Sequence, residues 1–170
     1  MTRRILTIVV LLVVLPFAPA LAEPHPDLSG TWVVDLAASD SPDELLKMLG
    51  KSAVERAIAR KMRPTHRIVQ DEGGITLTVE SPIDTRTERL HLDGREVESR
   101  SLSGDPVTAR HNWSDDGTTI VTQTSATTKE GRALRVTGRR RLIDATTMEL
   151  VWELDSEGTH ARMRRVLRKE

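Results

Sequence analysis

The sequence predicts a mainly β, single-domain protein: an antiparallel meander of about ten short strands that closes into a barrel or sandwich, with two short helices after the first strand. Three observations carry this. Turn signals recur about every 10 to 14 residues from His66 onward, at Glu72-Gly73-Gly74, Asp93-Gly94, Gly104-Asp105-Pro106, Asp115-Asp116-Gly117, Glu130-Gly131, Asp144 and Glu157-Gly158. The segments between them alternate apolar and polar residues with a period of two, the mark of a half-buried strand. The one helical pattern, residues 41–63, follows the first strand candidate.

The elements follow in chain order. Arg3 and Arg4 precede an apolar run from Ile5 to Leu15, broken by Pro16, and Ala20-Leu21-Ala22 offers small residues where a signal peptidase reads. This is the three-part pattern of a secretory signal peptide, residues 1–22, cleaved after Ala22. As a helix the run rises about 16 Å, well short of a hydrocarbon core of roughly 30 Å, so no stable membrane span is expected after cleavage. The domain then runs from residue 23 to 170, with a periplasmic or secreted location and a monomeric state expected. Strands are expected at Gly30–Asp35, His66–Gln70, Ile75–Glu80, Thr87–Leu92, Glu96–Leu102, Val107–Trp113 and Thr119–Ser125. Alternation is cleanest in the last three. Leu134, Val136, Gly138, Arg140 and Leu142 share one face, as do Met148, Leu150, Trp152 and Leu154, and then Ala161, Met163, Arg165 and Leu167. Arg162, Arg164 and Arg168 take the opposite face of the final strand.

In the helical stretch, Ser41-Pro42-Asp43-Glu44 reads as a capping box with proline at the first helical position, and Gly50 is placed to end that helix. Ser52-Ala53-Val54-Glu55 repeats the box. Val54, Ile58 and Met62 form the second apolar stripe, and Pro64 stops the helix. A two-helix lid over the open end of a barrel fits this context; a DNA-binding helix-turn-helix does not.

Composition narrows the function classes. The chain has 170 residues, 25 basic and 25 acidic, with no cysteine or tyrosine, one Phe and three Trp. Without cysteine there are no disulfides, thiolate metal sites or cysteine nucleophiles. Zero net charge and few aromatics remove the electrostatic and stacking support that nucleic acid needs. No hydrolase elbow, zinc-protease helix, P-loop or dinucleotide fingerprint occurs, and the scattered histidines lack ligand spacing, so no enzyme, metal or cofactor is expected.

Several segments together resemble a known family. Gly30-Thr31-Trp32, the two helices, Lys61-Met62-Arg63-Pro64-Thr65 and Gly74-Ile75-Thr76-Leu77-Thr78-Val79-Glu80-Ser81 follow the order of the intracellular fatty-acid-binding proteins. Asn112-Trp113-Ser114-Asp115-Asp116-Gly117-Thr118-Thr119 is similar to that family's Trp-containing hairpin, and Arg164-Arg165-Val166-Leu167-Arg168-Lys169 to its C-terminal strand. The resemblance spans about residues 28–169. It implies the calycin architecture, a ten-stranded antiparallel up-and-down β-barrel with a helical lid and an internal cavity for fatty acids or similar ligands. The chain departs from the family in its export signal, in a longer stretch over 118–145, and in Leu167 where the family has a tyrosine two residues after its carboxylate-binding arginine. An exported bacterial lipocalin-like domain is the closer description.

The candidate site rests on two arginines of inward parity, Arg140 and Arg165. An unpaired guanidinium among apolar residues is costly, and its planar fork suits a carboxylate head group. The resemblance maps Arg165 onto the family's carboxylate-binding arginine. The competing role is an internal ion pair, or stacking over Trp32 to close the base of the barrel. Trp152, His111, Met163 and Leu167 share the inward parity and join them as candidate ligand contacts. The expected function is an exported binding protein for a small hydrophobic ligand, a fatty acid or other acidic lipid, with the lid at 41–63 gating entry. The rival is an envelope interaction module with a side-chain-filled barrel, bound through Arg162, Arg164 and Arg168. Cavity volume separates the two.

Overall fold

A computed structural model describes residues 25–100, 106–127, 131 and 133–170. The expected signal segment, Leu102 and the turn residues Gly104, Asp105 and Glu130 lie outside the described residues. The elements are β1 (Gly30–Asp35), α1 (Asp43–Met48), α2 (Ala53–Ala59), β2 (Thr65–Asp71), β3 (Gly74–Glu80), β4 (Thr85–Leu90), β5 (Asp93–Arg100), β6 (Pro106–Trp113), β7 (Thr119–Thr127), β8 (Ala133–Asp144), β9 (Thr147–Ser156) and β10 (Thr159–Lys169). All strand pairs are antiparallel, in the order β4-β3-β2-β1-β10-β9-β8-β7-β6-β5. Each strand therefore pairs with its chain neighbour, and β1 joins β10. The exception among the described residues is β4 and β5, which do not pair with each other, so the curled sheet carries one seam. Side chains bridge it: the Ser99 hydroxyl donates to Glu88 Oε1 at 2.5 Å, and Arg86 Nη1 donates to the Arg100 carbonyl at 3.4 Å.

The alternation read from the sequence sets which side chains point inward. On β8, Gly138 and Arg140 are buried while Arg135, Arg139 and Arg141 are exposed. Two apolar clusters form. One, around Trp32, Leu28, Ile68, Ile75, Ile120, Met148 and Leu167, fills the base; the other, around Leu45, Leu154, Ala161 and Met163, lies beneath α1. Trp32 is fully buried, and its indole N–H donates to the Leu28 carbonyl at 2.9 Å. The cation over its ring is Lys169, at 5.2 Å, rather than either inward arginine.

Three local expectations are corrected. Asp93-Gly94 is no free turn: both residues belong to β5, where Gly94 takes φ +74° and the register shifts between Asp93 and Glu96. With no β4–β5 pairing, no tight hairpin is needed there, and the glycine makes a bulge instead. Ser41 accepts from the Asp43 N–H at 3.3 Å but is not the N-cap of α1. The N-cap is Pro42, the helix begins with Leu46 N–H donating to the Pro42 carbonyl at 2.9 Å, and no capping box forms. Docking of Leu45 between β9 and β10, not the local cap, places this helix. Third, the apolar stripe of α2 is not buried, Val54 being 70% and Ile58 49% exposed. The Gly50 expectation holds. Gly50 adopts φ +73°, its N–H bonds to Lys47 and that of Lys51 to Leu46, a Schellman ending. At α2 the Ser52–Glu55 capping box is fully formed.

Candidate functional site

Between the two apolar clusters lies a cavity of about 390 Å³, within the range of small-ligand pockets. Its wall includes Arg140, Arg165, Trp152, His111 and Met163 among the candidates read from the sequence. Leu167 is not on that wall; it is fully buried in the base cluster.

Strand register brings the two arginines together. Leu150 on β9 is the direct partner of both Arg140 on β8 and Arg165 on β10. They thus occupy one row, two strands apart, with Cα atoms about 10 Å from one another at normal strand spacing. Arg140 is 6% exposed, and its Nη1 has no hydrogen-bond partner. Burial lowers its pKa to about 10, so it stays a cation at neutral pH. Arg165 is half-buried; burial lowers its pKa too, while the Asp40 carboxylate pulls it back up.

The sequence reading missed a third polar group, His66. It sits on β2 beside Trp32 and Val79, is 7% exposed, and its Nδ1 has no partner. Burial, and then the Arg140 charge, hold it far below the usual imidazole range, at about 3, so it is neutral at physiological pH. Its shared parity with buried Ile68 was the available signal. His111 on β6 is 1% exposed; its Nδ1 lies 3.0 Å from the Thr122 hydroxyl and its Nε2 has no partner. Burial lowers its pKa, Glu88 raises it and His91 lowers it.

Trp152 owes its position to a glycine. Gly138 is its register partner, and a Cβ there would come within 2.5 Å of the indole. Only glycine leaves room for the ring to approach the β8 backbone this closely. Trp113 instead stacks on His25, with ring centroids 4.3 Å apart.

The outward arginines of β10 are occupied. Arg164 pairs with Glu149 and donates to the Ala38 carbonyl at 3.2 Å. Arg168 reaches Asp35 at 3.2 Å, and Arg162 lies 3.8 Å from Glu153. Among the described residues, no group of three His, Asp or Glu could hold a metal ion, and no helix is long and apolar enough to cross a membrane.

Solved structures share this architecture. The REP1-NXSQ fatty acid transporter matches at 15% identity and a TM-score of 0.70, over 84% of this chain and 96% of that one. A fatty acid-binding protein from Drosophila melanogaster brain tissue matches at 22% and 0.64, over 84% and 99%. Caenorhabditis elegans lipid binding protein 8 matches at 15% and 0.64, over 84% and 94%. No protein-family model and no curated protein sequence matches the chain. At these identities the likeness is one of fold: the chain has the calycin fold of the fatty-acid-binding-protein type.

Proposed function

We propose that this protein is a non-enzymatic, monomeric binding protein for a small hydrophobic ligand with an acidic head, a fatty acid or similar lipid, held in the barrel cavity. One observation carries the reading: a buried, charged Arg140 with an unpartnered nitrogen on the wall of a cavity of about 390 Å³. An uncompensated guanidinium in an apolar hollow costs several kcal/mol, on the order of a buried ion's desolvation, and a carboxylate would offset that. Arg165, in the same row, is placed to take a second oxygen or a shorter ligand. Burial of the aliphatic tail, worth about 25 cal/mol per Å², supplies the rest of the affinity. The three solved neighbours are named for fatty acid transport, fatty acid binding and lipid binding, which supports the same class.

The plugged-module alternative is disfavoured by the hollow interior and by the carboxylates that meet Arg162, Arg164 and Arg168. Export to the periplasm or beyond, after cleavage following Ala22, is part of the proposal and rests on the N-terminal sequence pattern. Native mass spectrometry of protein purified from its own host tests the function. A co-purifying acidic lipid is expected; a ligand-free protein that takes up no fatty acid on titration would refute it. Sequencing the N-terminus of the exported protein tests the cleavage, with Glu23 expected first.

A further inference from the structure

Charge is unevenly spread over the cavity wall. Among the described residues the wall carries four arginines, Arg86, Arg100, Arg140 and Arg165, against two carboxylates, Asp84 and Glu88. The wall histidines, His66 and His111, add no charge at neutral pH, because burial holds both below the usual imidazole range. The polar wall along the β4–β5 seam is balanced: Asp84, Arg86 and Glu88 lie on or beside β4, and Arg100 ends β5. The excess of two positive charges therefore falls on Arg140 and Arg165. They lie on the far side of the barrel, β8 being three strands from β5 and β10 four strands from β4.

Neighbouring arginines sharpen the contrast. Arg139 and Arg141, on either side of Arg140, turn outward and meet Glu153 and Glu149. Arg164, next to Arg165, also meets Glu149. Among the described residues no carboxylate forms an ion pair with either inward arginine. Asp40 acts on Arg165 through its charge alone, and its Oδ2 accepts from the Arg164 N–H at 2.8 Å. The two inward arginines flank Leu150 in one row, about 10 Å apart at Cα and within the joint reach of two arginine side chains. A single carboxylate between them would bring one negative charge to two positive ones. A tail that fills the cavity would also cut Arg165 off from solvent, and the cation left over would be costly to bury. The geometry points to a ligand whose compact head group carries two negative charges and sits between Arg140 and Arg165: a lipid phosphate monoester, or a lipid with two carboxylates on one carbon. Either head presents acceptor oxygens on opposite sides, which suits guanidinium forks that approach from two strands. This inference rests on the proposed acidic-lipid function and deepens it.

The test is a calorimetric titration of the protein with dodecyl phosphate, dodecyl sulfate, dodecylmalonate and laurate, each kept below its micelle concentration. At about pH 8 the phosphate carries two charges and the sulfate, of the same tetrahedral shape, one. Dodecyl phosphate is expected to bind about tenfold tighter than dodecyl sulfate. In Arg165→Met that gap is expected to close, the phosphate losing more affinity than the sulfate or laurate. Arg139→Met removes the same charge from the outer face of β8 and is expected to leave the gap as it is. Equal binding of phosphate and sulfate by the wild type would overturn the inference and leave the acidic-lipid reading standing. A gap that survives in Arg165→Met, or that Arg139→Met closes equally, would overturn it too. Beside the phosphate gap, a preference for dodecylmalonate over laurate extends the class to dicarboxylates, and its absence confines the class to phosphates; both results uphold a dianionic head. Failure of all four acids to bind would defeat both readings.

Discussion

The two lid helices are built on opposite principles. Helix α1 has a weak local signal: its N-cap is proline, and the side-chain bond at its start is a 3.3 Å one from Asp43 N–H to the Ser41 hydroxyl. Yet it is firmly placed, because Leu45, 2% exposed, packs against Leu154, Ala161 and Met163. The segment before it is tied down as well. Asp40 N–H donates to the Arg164 carbonyl at 2.9 Å, and Arg164 N–H donates to the Asp40 carboxylate at 2.8 Å. Helix α2 has a strong local signal, a complete capping box, and no buried residue. It is held to α1 by polar contacts: Asp43 accepts from Arg56 Nε at 3.2 Å and from Arg60 Nη1 at 2.8 Å, and Arg56 also donates to the Lys51 carbonyl at 2.8 Å. The lesson is that the lid has a fixed plug and a tethered flap. Local propensity specifies that a helix forms; packing specifies where it stays.

This contrast can be broken at several points. The largest effect is expected at the plug. Leu45→Ala should cost the whole domain about 2–4 kcal/mol in urea unfolding, through lost burial and a new void. Ile58→Ala on the flap should cost under about 0.5 kcal/mol. Equal losses would merge the two helices into one unit.

Acid should act on the barrel before the flap. His66 has a folded pKa of about 3 against an ordinary value of 6.5, so the folded state binds this proton less readily than the unfolded chain. The resulting stability is fully present above about pH 6.5 and is lost as pH falls toward 3. At pH 5 the loss is up to about 2 kcal/mol. His66→Gln should remove that part of the pH dependence, measured as the difference between the two unfolding curves from pH 7 to 5. Parallel curves would show that His66 is not held neutral.

Smaller effects are expected at the flap itself. Ser52→Ala should remove the capping-box bond from Glu55 N–H to the serine hydroxyl, leaving the one from Ser52 N–H to Glu55, and cost α2 about 1 kcal/mol locally. Amide hydrogen exchange should speed up in residues 53–59 while the strands are unchanged. Asp43→Asn should release Arg56 and Arg60 and speed the same amides, with a global loss below about 1 kcal/mol because these pairs are partly solvated. Loss of strand protection in either variant would show that α2 is part of the barrel's cooperative unit.

The strands were legible because one face of each meets the interior. The parity that placed Arg140 and Arg165 inward on β8 and β10 is the parity the structure shows. His66 is legible by the same rule, sharing the parity of buried Ile68; the lack of metal-ligand spacing among the histidines says nothing about which of them is buried. The polar wall was harder to read. In β4, Thr85-Arg86-Thr87-Glu88-Arg89-Leu90 is polar on both faces, so alternation does not say that Arg86, Glu88 and Leu90 line the cavity. The β4–β5 seam leaves no local mark either, since pairing depends on how ten strands close. The stripe of α2 misled for a related reason: a 3.6-residue period shows that a face is apolar, not that anything covers it.

The central claim is that a cationic side chain in the cavity wall holds an acidic head group. The most direct measurement is calorimetric titration of stearate into wild type, Arg140→Met and Arg165→Met, with each variant first shown to retain its thermal transition. Loss of the buried charge partner should weaken binding by about tenfold or more in Arg140→Met and by a smaller factor in Arg165→Met, while stearyl alcohol binds all three alike. Equal stearate affinity across the three proteins would contradict the account.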